Sequence, residues 1–377
     1  MRSALDAVAL STAAAAVSLL ATLAASWCVH YTLTIVNDQR KKGPGMNEVR
    51  PQKHQHKRTE QLSQLPASSV PRAFQLDAYF APEHMRAFAH AKIFDGCANV
   101  FAVIDAIHPY LVRFFDDPAV WSAGTMMITA AASPDQELQY PPQFIDPEFS
   151  AKIVVHDHVN LATLVLDKVV NTPTKRWNGT HGVVIQEGAV VLGGTFDVSD
   201  GAIQIGRNVR VEPNVFIKGP CIIGDNCTLR SGAYIRGDVI VGRSVVLRGE
   251  LKNVLIMDQA ELCHPGYCGD SVCGFKSHMG NQVTTANLNL FSFLALPTLK
   301  MEVDGVVYDS GRTKTGVILG DYCQLGCSSV TDPSTLIMRN TLIYPLSRLP
   351  KGIYGPNQII KNKPLENGVI EIAALRT

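Results

Sequence analysis

Ile205, Val211, Ile217, Ile223, Leu229, Ile235, Val241 and Leu247 fall six residues apart without a miss. A helix repeats near 3.6 residues and a strand near 2, so a sustained period of six fits neither. It fits a chain that turns a corner every six residues and sends one side chain inward at each corner. That is the pattern of a hexapeptide β-helix, whose stacked coils bury a continuous aliphatic column. Strands of an ordinary sandwich would have to produce the run of eight by chance. Because each coil pairs only with its neighbours, the column is scaffold, and chemistry belongs on the outer edges.

The repeats occupy part of the chain. The expected division is a hydrophobic segment with a basic flank at 1–45, a solvated linker at 46–72 and a helical and irregular region at 73–180. A β-helix follows at 181–345, interrupted by an excursion at 288–315, and a C-terminal arm at 346–377 is expected to pack against a neighbour. Residues 7–30 carry no formal charge, which is enough apolar chain to span a bilayer as a helix. The basic run Arg40-Lys41-Lys42 then places the body on the cytosolic side. A cleaved signal peptide, or a soluble protein starting at Met46, are the competing readings. Phe94, Cys97, Phe101, Ile104, His108 and Leu111 recur at threes and fours, which predicts a helix with one apolar face that Pro109 should end or kink. Ile153 to Val170 reads as a further helix. The repeat loses phase near Asn253, as if a loop bulged from one corner, and a second ladder runs through Leu319, Leu325, Thr331, Ile337 and Ile343.

Lys+Arg 34 against Asp+Glu 33 leaves no bulk charge with which to hold a nucleic acid. The nine cysteines form no Cys-x-x-Cys pair, so a reducing compartment is expected rather than a disulfide framework. Cys263, Cys268 and Cys273 are spaced by five, looser than the ligand pairs of tetrahedral zinc sites, and no metal is expected.

Between the two ladders stand Gly249-Glu-Leu-Lys252-Asn, then Cys263-His264-Pro-Gly-Tyr267-Cys-Gly-Asp-Ser271, then Gly280-Asn-Gln-Val-Thr-Thr-Ala-Asn287. From Ile217 to about Leu290 the chain resembles the left-handed β-helix acetyltransferase domain of glucosamine-1-phosphate N-acetyltransferases from bacteria and archaea, usually fused to an N-acetylglucosamine-1-phosphate uridylyltransferase. Ser310-Gly-Arg-Thr-Lys314-Thr-Gly316 also resembles the stretch after the excursion in the archaeal members.

The resemblance implies a mainly β fold built on a left-handed parallel β-helix, a homotrimer with the acyl-donor groove between neighbouring chains, and acetyl-CoA as co-substrate. Its acceptor would be an amino-sugar phosphate in UDP-N-acetylglucosamine biosynthesis. His264 matches the family's general base, a role suited to an imidazole that titrates near neutrality. Arg236 and Lys252 match the pair that holds the sugar phosphate, Tyr267 a sugar-contacting tyrosine, Asn287 a substrate-binding asparagine, and Lys314 an archaeal lysine of less defined role. On composition alone, Arg312 and Lys314 read as a solvated loop.

The chain also departs from the family pattern. The interval from Arg236 to Lys252 is short, and Asn281-Gln282 replaces a small pair that leaves room for the cofactor's acetyl end. No Gly-rich nucleotide loop precedes Val183, so nucleotidyltransferase activity is not expected. His264 and His278 are too few for the three zinc-binding histidines of a γ-type carbonic anhydrase. The rival from another class is a non-catalytic β-helix that binds a sugar nucleotide or regulates a partner nucleotidyltransferase.

Overall fold

The computed structural model describes residues 58–122, 126–128, 151–156, 158–290, 297–363 and 369–374. The hydrophobic stretch 7–30 lies outside them. Among the described residues no helix is long and apolar enough to cross a membrane.

The ladder is a parallel β-solenoid. Val211, Leu229 and Leu247 face one another in register on one sheet, so a regular coil takes 18 residues, three sixes. Ile205, Ile223 and Val241 stack on a second face, and Ile217 and Ile235 on the third. All eight ladder residues are buried at 0–1% exposure. Corners use Asn208, Asn214, Asn226 and Asp238 at φ of 54–63°, a left-handed backbone that short polar residues tolerate best.

The strands run beyond the expected limits at both ends. The expected helix at 153–170 is replaced by short strands and a single 3-10 turn at Leu161–Thr163: Lys152–Val155 pairs with Gly182–Ile185, and Lys168–Val170 with Thr195–Asp197. Their β-branched apolar runs are short and extended, and the ladder partner overrides any helical spacing. At the other end Gln358–Lys363 pairs in parallel with Leu342–Ile343 and buries Ile360. The tail past 345 is therefore the last coil, with Val369–Ala374 folded back antiparallel on it. Where the rhythm fails near Asn253, no loop bulges out. The coil contracts: Leu247 faces Leu262 after 15 residues, Val254 to Ser271 takes 17, and the missing residues come from corners. Glu250–Ile256 and Tyr267–Cys273 accordingly run as unbroken seven-residue strands across two faces.

A second column stands on the outside of the same sheet. Ile222, Ile240, Leu255, Val272, Ile318 and Leu336 pair successively in register and are all fully buried. The helix Val100–Asp116 packs over the column's middle rungs, on the strands of Ile240, Leu255 and Val272, and contributes Val103, Ile104, Ile107 and Leu111 to the same apolar cluster. Asn99 caps the helix by accepting from the amides of Phe101 and Ala102 at 3.0 and 3.1 Å. Pro109 lies inside the helix and does not end it; the packed apolar stripe outweighs the lost backbone bond, whose cost is about 3 kcal/mol.

The expected linker is structured from residue 58 onward. Thr59–Gln61 adds a parallel strand to the hairpin Lys300–Val303 and Val306–Asp309, and Leu62 and Val70 are buried. That hairpin, built from the excursion, turns on Asp304-Gly305, both at positive φ, as a two-residue turn requires. Farther along, the buried Asp321 carboxylate accepts from the amides of Ala81 and Phe275 at 2.7 and 2.8 Å and lies 2.6 Å from His84 Nδ1, tying the N-terminal region to the solenoid.

His90 sits in that region at 8% exposure, its Nδ1 2.9 Å from the Tyr110 hydroxyl and its ring edge-on to Phe88 and Phe114. Burial pushes the imidazole down to about 4 from about 6.5 when unfolded. Between those values the unfolded chain binds a proton the native chain refuses, so stability falls as pH drops. The loss from this group is about 2 kcal/mol between pH 7.5 and pH 5. Urea unfolding at the two pH values should show a smaller drop in His90→Leu than in the wild type. An equal drop in both would place the acid sensitivity elsewhere.

Candidate active site

The contracted coils carry the site. His264 follows the strand Glu261–Leu262 on an exposed turn, and its ring makes no hydrogen bond or ion pair with any described residue. It borders a shallow cleft of about 10 Å³ lined also by Arg248, Glu250, Leu262, Gly266, Tyr267, Met279 and Gly280. Arg236 reaches this cleft indirectly: it is ion-paired at the surface with Glu250, and that carboxylate holds its guanidinium firmly protonated.

Tyr267 turns toward a different set of partners. Its hydroxyl accepts from Asn287 Nδ2 at 3.0 Å, and the same Nδ2 donates to Asp270 at 2.5 Å. Asn253 Nδ2 donates to the other Asp270 oxygen at 2.8 Å. Burial, then the Asp270 charge, raise the Tyr267 phenol above its usual range, so it stays a neutral hydroxyl at ordinary pH. A side chain at position 269 would put its Cβ 2.3 Å from the Tyr267 hydroxyl and 3.0 Å from Asn287 Nδ2. Gly269 is thus what lets tyrosine and asparagine meet.

Arg312 is not a solvated loop residue. Its side chain is 14% exposed, ion-paired with Asp105 of the long helix and 3.7 Å from Asp270, and its Nε donates to the Lys314 carbonyl. Burial pushes this guanidinium down to about 10, which leaves it charged at neutral pH. It pins the returning excursion to the Tyr267–Asn287 network.

Of the residues singled out by sequence, His264 and Tyr267 line one cleft, with Arg236 joined through Glu250, and Asn287 lies behind Tyr267. Lys252 stands on the outer face, opposite Gly269 in register. Since Ile235 faces Leu251, Arg236 and Lys252 are neighbours on successive coils; the short interval between them is the coil contraction. Neither Lys252 nor Lys314 lines the cleft, and the Lys314 side chain is exposed. Asn281 and Gln282 are exposed at a corner, Gln282 at φ 59° with its amide on the Pro265 carbonyl, and neither lines the cleft. Cys268 and Cys273 point into the core, their sulfurs 3.9 Å apart, so they do not gather with Cys263. Sequence reasoning missed Arg248, Glu250 and Asp270, whose only signal was an acid or base beside a broken repeat.

Known proteins match the repeats. Residues 202–237 fit the family model described as bacterial transferase hexapeptide (six repeats). The uncharacterized acetyltransferase YaiX of Escherichia coli O6:K15:H31 (strain 536 / UPEC) is 33% identical over 168 residues, 43% of this chain and 71% of the relative. This chain belongs to the hexapeptide-repeat acetyltransferases. The putative uncharacterized acetyltransferase YaiX of Escherichia coli K12 agrees, at 32% identity over the same shares. The crystal structure of the polySia specific acetyltransferase NeuO aligns at 10% identity over 56% of this chain and 85% of its own, with a TM-score of 0.22; a likeness that weak bears on neither fold nor activity.

Proposed function

We propose that the chain is an acetyl-CoA-dependent N-acetyltransferase whose acceptor is an amino-sugar phosphate of the glucosamine 1-phosphate type. The observation that carries the reading is His264: exposed and without a partner among the described residues, at the mouth of a cleft shared with Tyr267, Arg248 and Glu250. In this reading His264 takes a proton from the acceptor ammonium, and the freed amine attacks the thioester carbonyl. The carbon–sulfur bond breaks, the new amide forms, and coenzyme A leaves as the thiol once protonated. Arg236 and Lys252 hold the phosphate, Arg236 as a planar fork and Lys252 as a point charge. Tyr267, positioned by Asn287, takes a sugar hydroxyl.

The cleft on one chain, at about 10 Å³, falls far below the roughly 300–1,000 Å³ of ordinary ligand pockets. That size supports a groove completed by a second chain, in a homotrimer. Membrane anchoring by residues 7–30, with the body in the cytosol, belongs to the same proposal. Mass spectrometry of the acceptor after incubation with acetyl-CoA tests it: one acetyl group should appear on nitrogen. Acetyl on oxygen, or none, would count against the amino-sugar reading.

Arg236→Ala provides a second check. The pair with Glu250 is at the surface, so stability should change by less than about 1 kcal/mol. Losing a charged hydrogen bond to phosphate should raise KM for the acceptor by about 10-fold to 100-fold, leaving KM for acetyl-CoA in place. An equal rise in both constants would remove Arg236 from phosphate binding.

A further inference from the structure

Glu261, Cys263 and His278 form a separate cluster on the solenoid wall, and the mechanism above uses none of them. One donor atom from each, a carboxylate oxygen, a thiol sulfur and a ring nitrogen, lie within 4.8 Å of one another. The grouping follows from the contracted coils. Glu261 and His278 are direct partners in the parallel ladder, so their side chains leave the same face side by side, His278 Nδ1 3.3 Å from the Glu261 carboxylate. Cys263 stands at the corner just after them, nearly buried at 9% exposure. Arg230 Nη1 donates to the Cys263 carbonyl at 3.1 Å, which holds the corner from the coil two turns back.

We infer that Glu261, Cys263 and His278 bind one divalent transition-metal ion of the zinc type. Thiolate, imidazole and carboxylate together suit Zn²⁺, whereas Mg²⁺ and Ca²⁺ want oxygen donors alone. Tetrahedral bonds of about 2.0–2.3 Å put donors roughly 3.3–3.8 Å apart. The cluster therefore has to close by about 1 Å, well within reach of the Glu261 side chain, which is 57% exposed. Three protein ligands leave a fourth position open to solvent. Cys263 immediately precedes His264, and Leu262 and Met279 beside the ligands line the His264 cleft. A bound ion consequently clamps the turn that presents His264. The inference departs from the sequence expectation of no metal, because the ligands are one cysteine with a histidine and a glutamate from neighbouring coils and not three cysteines at a spacing of five.

Cobalt is the probe. Full-length protein stripped with a chelator should bind one Co²⁺ per chain with a thiolate-to-metal charge-transfer band, and Zn²⁺ should displace it. Cys263→Ser should abolish the band, and Glu261→Gln and His278→Gln should each weaken Co²⁺ binding at least tenfold, since even groups that only support a ligand are worth about 10–100-fold in metal affinity. Both latter positions are solvent-accessible, so these variants keep the test alive if Cys263→Ser misfolds. Cys327→Ser, at an exposed thiol on the next coil beside Gly280 and outside the cluster, should bind as the wild type does, and so should His264→Ala, which separates this site from the acetyl-transfer reading. Absence of a band in the wild type overturns the inference, as does a band that survives Cys263→Ser or depends on Cys327.

Discussion

His264→Ala is expected to lower kcat/KM for acetyl transfer by about 10²–10⁴-fold, the usual contribution of a positioned general base. The expectation rests on the state of the ring. His264 is exposed, touches no hydrogen-bond partner among the described residues and borders the cleft with Tyr267 and Glu250. For the same reason, stability should move by no more than about 0.5 kcal/mol, as for a surface substitution away from packed features. The pairing of a large kinetic loss with an unchanged unfolding curve is what distinguishes a proton acceptor from a structural residue. Steady-state kinetics beside urea unfolding of the same preparation checks it. A variant that keeps wild-type kcat/KM would remove His264 from the chemistry.

The second large effect belongs to the column. Ile235→Ala should cost about 2–5 kcal/mol of unfolding free energy, the range for truncating a buried aliphatic to alanine. Ile235 is 0% exposed and paired in register with Ile217 on one side and Leu251 on the other. Coils above and below are fixed by their own ladders, so the site cannot collapse to fill the void. Arg236, and Glu250 beside Leu251, point outward while Ile235 points inward, so the variant should lower activity in proportion to the folded fraction and no further. Denaturant unfolding followed by circular dichroism reads the effect; a loss below about 1 kcal/mol would mean the column relaxes around the gap.

Much of this architecture was legible in the residues. A six-residue period of inward aliphatics has few structural solutions, and every ladder residue from Ile205 to Leu247 is buried as that period requires. The outer column was not legible. Ile240, Leu255 and Val272 recur once per coil, and no short window reveals that a helix covers them. Residues 153–170 misled for a related reason, since short apolar runs satisfy helical spacing until a ladder partner is supplied. The excursion at 288–315 looked aperiodic because it holds a hairpin that serves the N-terminal region and not the solenoid.

The site divides similarly. His264 and Tyr267 carried enough local pattern to be found, and the fold places them on one cleft. Arg312 was misjudged because its partners, Asp105 and Asp270, are 207 and 42 positions away in sequence. The cluster of Glu261, Cys263 and His278 depends on a 17-residue coil, which sets Glu261 opposite His278, where an 18-residue coil would not.

The most direct test of the account is release of thiol from acetyl-CoA, followed with two acceptors that differ only at nitrogen. With glucosamine 1-phosphate the protein should release one thiol per acceptor consumed, and His264→Ala should suppress it. With N-acetylglucosamine 1-phosphate, which has no free amine, release should stay at the level without acceptor. Equal release with both acceptors, or none above the His264→Ala background with the amine, would contradict it.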